Sequence, residues 1–263
     1  MDFCTRFGGS PSSDGAWNFE LGEELNGGFG GTNGGVLAAL SVYVARQTSP
    51  ERHVAGADAR FIRGFRPGLA VATPTVVNAG RTLTTVSVDI TSADGKLCAR
   101  TTVSLVSPKA LADVSDEEKY FSDETMVSYA EGKPWRQPRG PQVIPLIDTF
   151  DPRQLSRGDN SSVTGSRIIW NDPLASAEAA CIAADISVGP PVAMAVREKG
   201  IHLATPNPDL SLRFSGNRAT TSYLTAHCNL ASLTAGLAMT RLEVRSAGDL
   251  LAVGISTTTC FQS

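Results

Sequence analysis

Downstream of Arg52 the chain alternates apolar and polar positions with period two. The stretches VAGADARFIRGF, LAVATPTVVNAG, TLTTVSVDITSADG and KLCARTTVSLV mix β-branched residues into that alternation, and Gly, Asp and Pro punctuate them. They predict an antiparallel meander, with a hairpin turn at Asp94-Gly95, where short loops demand positive φ. Residues 34–46, GGVLAALSVYVAR, read differently. They are rich in Ala and Leu and apolar on nearly every side, which predicts one buried helix capped from Thr32 or Asn33. A second Ala-rich helix is predicted over 172–185, DPLASAEAACIAAD, followed by the strand-like DLSLRF, TSYLTAHCNL, AMTRLEV and LLAVGISTTTCF.

Each half is thus a helix followed by a curved antiparallel sheet, and short sequence matches support a repeat. Allowing one deletion, SADGKLCARTTVSL aligns with SAGDLLAVGISTTT so that Gly95, Leu97 and Ala99 fall on Gly248, Leu250 and Ala252, and the same offset of 153 residues lays Arg60-Phe61 on Arg213-Phe214. Residues 111–157 between the halves are polar, proline-bearing and aperiodic, so they read as a linker joining units at 1–110 and 158–263.

Composition narrows the function classes. The net charge of −3 comes from 23 basic and 26 acidic residues spread along the chain, without the basic stripe that nucleic acid requires. No apolar run in the sequence reads as a membrane span, and MDFCTRFGGS has neither a basic nor an apolar leader region, so a soluble, cytoplasmic protein is expected. Cys4, Cys98, Cys181, Cys228 and Cys260 are far apart and form no CxxC pair, which predicts buried small hydrophobes and no metal site.

The glycine-rich GGFGGTNGGV at 27–36 precedes the first helix. A phosphate loop would need Lys and Ser/Thr after its last glycine, and Val36-Leu37 stand there instead. A dinucleotide fingerprint fails at its third glycine, where Asn33 stands. No nucleotide or other cofactor is implied.

An apolar helix wrapped by an antiparallel sheet, twice in one chain, resembles the TesB-like acyl-CoA thioesterases. The resemblance rests on NGGVLAAL, ARFIRGFRPG and NAGRTLTTVSVDITSADGKLCARTTVSL in the first half. In the second half it rests on NPDLSLRF and GLAMTRLEVRSAGDLLAVG, and together these cover roughly residues 27–106 and 165–261. It implies an α+β double hot-dog: two helix-wrapping antiparallel sheets joined edge to edge into one continuous sheet, with both helices on its concave side. It also implies a small-molecule acyl thioester substrate and a homo-oligomer as one assembly state. The activity implied is thioester hydrolysis by a water that an aspartate, a Ser/Thr-like residue and a glutamine orient, all from the second half.

Carried over residue by residue, the aspartate falls on Asp209 in NPDLSLRF. The Ser/Thr-like position falls on Ser232 or Asn229, depending on which end of HCNLASLTAG is aligned. The glutamine has no counterpart: the last strand offers Thr257 with Ser256 and Thr258, and Gln262 comes five residues too late. His227 is a substitute base if one is needed, while His53 and His202 sit in expected loops. The resemblance also implies that backbone N–H groups around Asn33, Gly34 and Gly35 face the substrate carbonyl, since glycine permits close backbone approach. Alternation in LSLRF puts Leu210, Leu212 and Phe214 on one face and Asp209 on the other, so Asp209 must sit at the strand mouth to act. Three functions remain open on these residues: a thioesterase, a hot-dog dehydratase, isomerase or cyclase on an acyl or polyketide-like intermediate, and a non-catalytic acyl-binding protein.

Overall fold

The computed structural model describes residues 1–112, 114, 127–138, 143–198 and 205–261. Its first half holds α1 (Phe3–Arg6), β1 (Ser10–Pro11), β2 (Trp17–Leu21), α2 (Gly34–Gln47), β3 (His53–Phe61), β4 (Gly68–Ala79), β5 (Leu83–Ser92) and β6 (Leu97–Val106). Then come β7 (Lys133–Pro134), α3 (Leu146–Phe150), β8 (Arg153–Arg157), β9 (Ser161–Arg167), α4 (Ser176–Glu198), β10 (Asp209–Phe214), β11 (Tyr223–Thr234), β12 (Leu237–Ser246) and β13 (Asp249–Thr259). Among the described residues the strands form one antiparallel sheet in the order β1-β2-β4-β5-β6-β3-β10-β13-β12-β11-β9-β8-β7. This is the expected double hot-dog, with two related half-sheets meeting at the β3–β10 pair.

Leu210 and Leu212 at that pair are buried, whereas Asp209 lies opposite Arg60 in the register. Two ion pairs cross the seam. Arg213 grips Asp58 with both terminal nitrogens at 3.0 and 3.1 Å, and Arg60 approaches Asp209 to 3.4 Å. Both are solvent-facing, so each contributes at most about 1 kcal/mol. The main join is apolar: one core cluster runs from Phe3 and Leu40 through Ile182 to Ala252, so the halves share a single interior.

α2 begins at Gly34 as expected and packs on β3–β6. α4 differs from expectation. It starts at Ser176 and runs through Gly189, Pro190 and Pro191 to Glu198, well beyond the predicted end at Asp185. Proline withholds an N–H and would end an isolated helix, but here α4 lies against β9, β11, β12 and β13, and that packing carries it on. By length and composition 173–198 could cross a membrane, a possibility the sequence reading had not seen; 78% of its most apolar window is buried inside the protein, as in a core helix. The segment read as a linker holds β7, α3 and β8, and β8 continues the second half-sheet beside β9. Cys98, Cys181 and Cys228 are buried and Cys4 and Cys260 half-buried, all as free thiols.

Candidate active site

The glycine-rich loop is held by main-chain bonds to two sides: Thr32 N–H donates to the Phe65 carbonyl at 2.8 Å, and Asn33 N–H to the Leu25 carbonyl at 2.9 Å. It delivers the N-terminus of α2 to the middle of α4. There Gly35 is required by space: a Cβ on it would lie 2.6 Å from the Cys181 carbonyl and 2.8 Å from Ile182 Cα, so the two helices touch backbone to backbone. A Cβ on Gly34 would strike the Phe61 ring at 2.6 Å.

This close approach places Asp185 of α4 at the first turn of α2. Asn33 Nδ2 donates to Asp185 Oδ2 at 2.6 Å and Asn207 Nδ2 donates to Oδ1, and the nearby backbone N–H groups of Gly34 and Gly35 favour its charged form. Asn33 stands at the N-cap without capping its own helix through its side chain. The carboxylate from the other half stands against that helix end instead, held by the Asn33 amide at the positive end of the helix dipole. Asp185 is 6% exposed. Burial pushes its carboxyl above the ordinary 3.8, and the hydrogen bonds from Gly35, Asn207, Asn33 and Gly34 oppose that push only in part.

Asp185, Asn33, Gly34 and Asn207 share the wall of a cavity of about 1030 Å³. Its apolar lining includes Leu37, Phe61, Phe65, Trp135 and Met194. Four arginines, Arg63, Arg136, Arg157 and Arg197, come to the same cavity from four separate segments, and none has an ion-pair partner among the described residues. Beside this cationic rim the Asn33 Oδ1 atom is buried without a hydrogen-bond partner. The arrangement offers a buried base with a raised pKa, amide groups to hold a water, and a positive rim for an anion.

Residues 24–106 match the acyl-CoA thioesterase N-terminal domain. The match covers the glycine loop, α2 and β3 to β6, and so includes Asn33 and Gly34, while Asp185 and Asn207 lie beyond it. Solved structures agree in fold over nearly the whole chain. A candidate thioesterase from Novosphingobium aromaticivorans is 21% identical, with a TM-score of 0.78 over 97% of this chain and 98% of its own. A conserved hot-dog protein of unknown function from Alicyclobacillus acidocaldarius is 18% identical, with 0.76 over 97% and 96%. The acyl-CoA thioesterase II TesB2 of Mycobacterium marinum is 17% identical, with 0.72 over 97% and 96%. No curated protein sequence matches. The resemblance to TesB-like acyl-CoA thioesterases therefore stands, on the domain in sequence and on the whole chain in fold.

The residues singled out from sequence fall into two places. Asn33 and Gly34, within the matched residues 24–106, line the cavity, with Gly35 packed on α4 just behind them. Asp209 is the first residue of β10, as the strand-mouth argument requires, but among the described residues it is not in the cavity wall. Its Oδ1 accepts from the Thr257 backbone N–H at 2.7 Å and its Oδ2 faces Arg60, so the structure joins Asp209 to Thr257 through the main chain and not through the hydroxyl. Ser232 pairs with Met239, which pairs with Thr257, so Ser232 lies two strands from it. Asn229 is exposed on β11, and His227 is buried there opposite Glu243. His53 is exposed at the start of β3, while His202 and Gln262 lie outside the described residues. Sequence reasoning missed Asp185, although a single carboxylate in the run ACIAADISV was a signal: charge is rarely buried without a purpose. Among the described residues, Gln154 of β8 is the glutamine in the cavity wall.

Proposed function

We propose that this chain hydrolyses acyl thioesters, of coenzyme A or of a pantetheine-bearing carrier, with Asp185 as the base that positions the attacking water. The observation that carries this reading is the Asp185 carboxylate, buried, held by the amides of Asn33 and Asn207 and set in the cavity wall at the N-terminus of α2. A water bound between Asp185 and the amides of Asn33 and Asn207 attacks the thioester carbonyl. The water oxygen bonds to carbon, its proton passes to Asp185, the C–S bond breaks, and the proton moves on to the leaving thiolate. Negative charge on the carbonyl oxygen is stabilised by the positive end of α2, which reaches the cavity at Asn33 and Gly34. Arg63, Arg136 and Arg197 fit the phosphates that coenzyme A and phosphopantetheine both carry.

Asp209, Thr257, Ser232 and Asn229 then act away from the chemistry, with Asp209 tying β10 to β3 and β13. Free-thiol release from a panel of acyl-CoAs tests the reading: turnover by the wild type and a loss of about 10²-fold or more in Asp185→Asn are expected. Full activity of Asp185→Asn would reject it.

A further inference from the structure

The second half-sheet has an unusual inner face. On β9, Ser162, Thr164 and Ser166 stand in register with the buried Cys228, Ala226 and Leu224 of β11, beneath α4. The corresponding strand of the first half, β2, puts Trp17, Phe19 and Leu21 against the core. A hydroxyl-bearing strand inside a core is costly unless each hydroxyl finds a partner. Ser162 is 2% exposed and lines the cavity, yet its Oγ has no hydrogen-bond partner. Thr164 lines the cavity beside it, and Gln154 of β8, in register with Thr164, extends the same polar wall. Facing them, α4 supplies Gly189 and Pro190, and Pro190 has no N–H to give to the carbonyl of Ile186, which also lines the cavity.

We infer that the β9 wall of this cavity faces the acyl chain and selects an oxygen-bearing acyl group, a hydroxyacyl thioester in preference to a saturated one, with Ser162 as the residue that reads the oxygen. The inference rests on the thioesterase reading of the same cavity and deepens it. A hydroxyl on the acyl chain accepts from Ser162 Oγ and donates to a wall carbonyl, whereas a methylene at the same point leaves the Ser162 hydroxyl buried and unpaired. Such an unpaired group is what lets a polar pocket reject an apolar analogue.

The experiment compares kcat/KM of the full chain for a saturated acyl-CoA and for monohydroxylated acyl-CoAs of the same length, substituted at successive carbons. The wild type is expected to prefer one hydroxylated isomer by about tenfold or more. Ser162→Ala is expected to erase that preference, and Ser162→Val to favour the saturated substrate. Thermal-shift binding of the same compounds to Asp185→Asn is expected to show the same order, and Ser162→Val introduced in that background to reverse it, so the preference is read even if no thioester is cleaved. A wild type that binds or cleaves the saturated ester best would overturn the inference. So would an equal loss on every substrate in Ser162→Val, since Ser162 would then serve the pantetheine arm common to all. Absence of turnover with the binding preference intact would instead count against the hydrolytic reading alone.

Discussion

The two halves share one fold but fill it differently. On the concave side of the first half-sheet, Trp17 and Phe19 pack with Tyr43 of α2, and Phe3 and Phe7 join Trp170 beside them. Phe3, Phe7 and Phe19 are at most 1% exposed, so that side is solid. On the second, β9 carries Ser162 and Thr164, α4 is broken in composition by Gly189-Pro190-Pro191, and Ser162, Thr164, Gly189 and Pro190 form the second half's wall of the cavity of about 1030 Å³. The duplication has divided the labour. The first half presents a rigid helix end, Asn33 and Gly34, with an apolar wall of Leu37, Phe61 and Phe65, and the second half supplies the carboxylate and the hydroxyl-bearing wall. Neither half contains the arrangement by itself, because the hydrogen bond between Asn33 and Asp185 spans 152 residues of sequence.

Hollowing the solid half has the largest expected effect on stability. Phe19→Ala removes a fully buried ring and should cost about 3–5 kcal/mol, seen as a lowered denaturation midpoint, while ligand binding by the folded fraction is unchanged. Next comes the carboxylate of the second half. Asp185→Asn should lower thiol release by about 10²-fold, or roughly 2.7 kcal/mol of transition-state stabilisation. Its pH profile gives a second check. The base must be ionised to accept a proton, and its pKa in the folded protein is raised, so activity is expected to fail on the acid side at a pH above 3.8, through Asp185's own titration. Filling the cavity from the second half is a smaller perturbation. Ala193→Phe puts a ring where α4 lines the cavity, and should raise KM for long acyl groups by about tenfold while sparing short ones. The smallest effect belongs to the seam: Asp209→Asn weakens one exposed ion pair, at most about 1 kcal/mol in urea denaturation, and should leave turnover within about twofold. A large loss of turnover there would return the catalytic role to Asp209.

The alternation of β3 to β6 and of β10 to β13 was legible because a pleated strand repeats every two residues, and the run at 34–46 because its apolar character admits only a buried helix. β2 and β9 were not legible. WNFEL and SSVTGSR are short, and the second has hydroxyls where a core strand would show β-branched hydrocarbons. Asp185 is visible in the sequence as the last residue of the expected helix 172–185, and nothing local shows that the helix runs on past it through Gly189-Pro190-Pro191. Asp209 drew attention for the converse reason: its local setting after Pro208 looked like a site, and only the β3–β10 register shows it facing Arg60.

What the sequence by itself determined was therefore the class of fold, its duplication and the glycine entry to α2, all set by near-neighbour periodicity and backbone preference. The site was decided by tertiary structure. A side chain's partners 152 residues away depend on how closely α2 and α4 pack, and a few ångströms of helix approach, permitted by Gly35, settle which carboxylate meets the helix end.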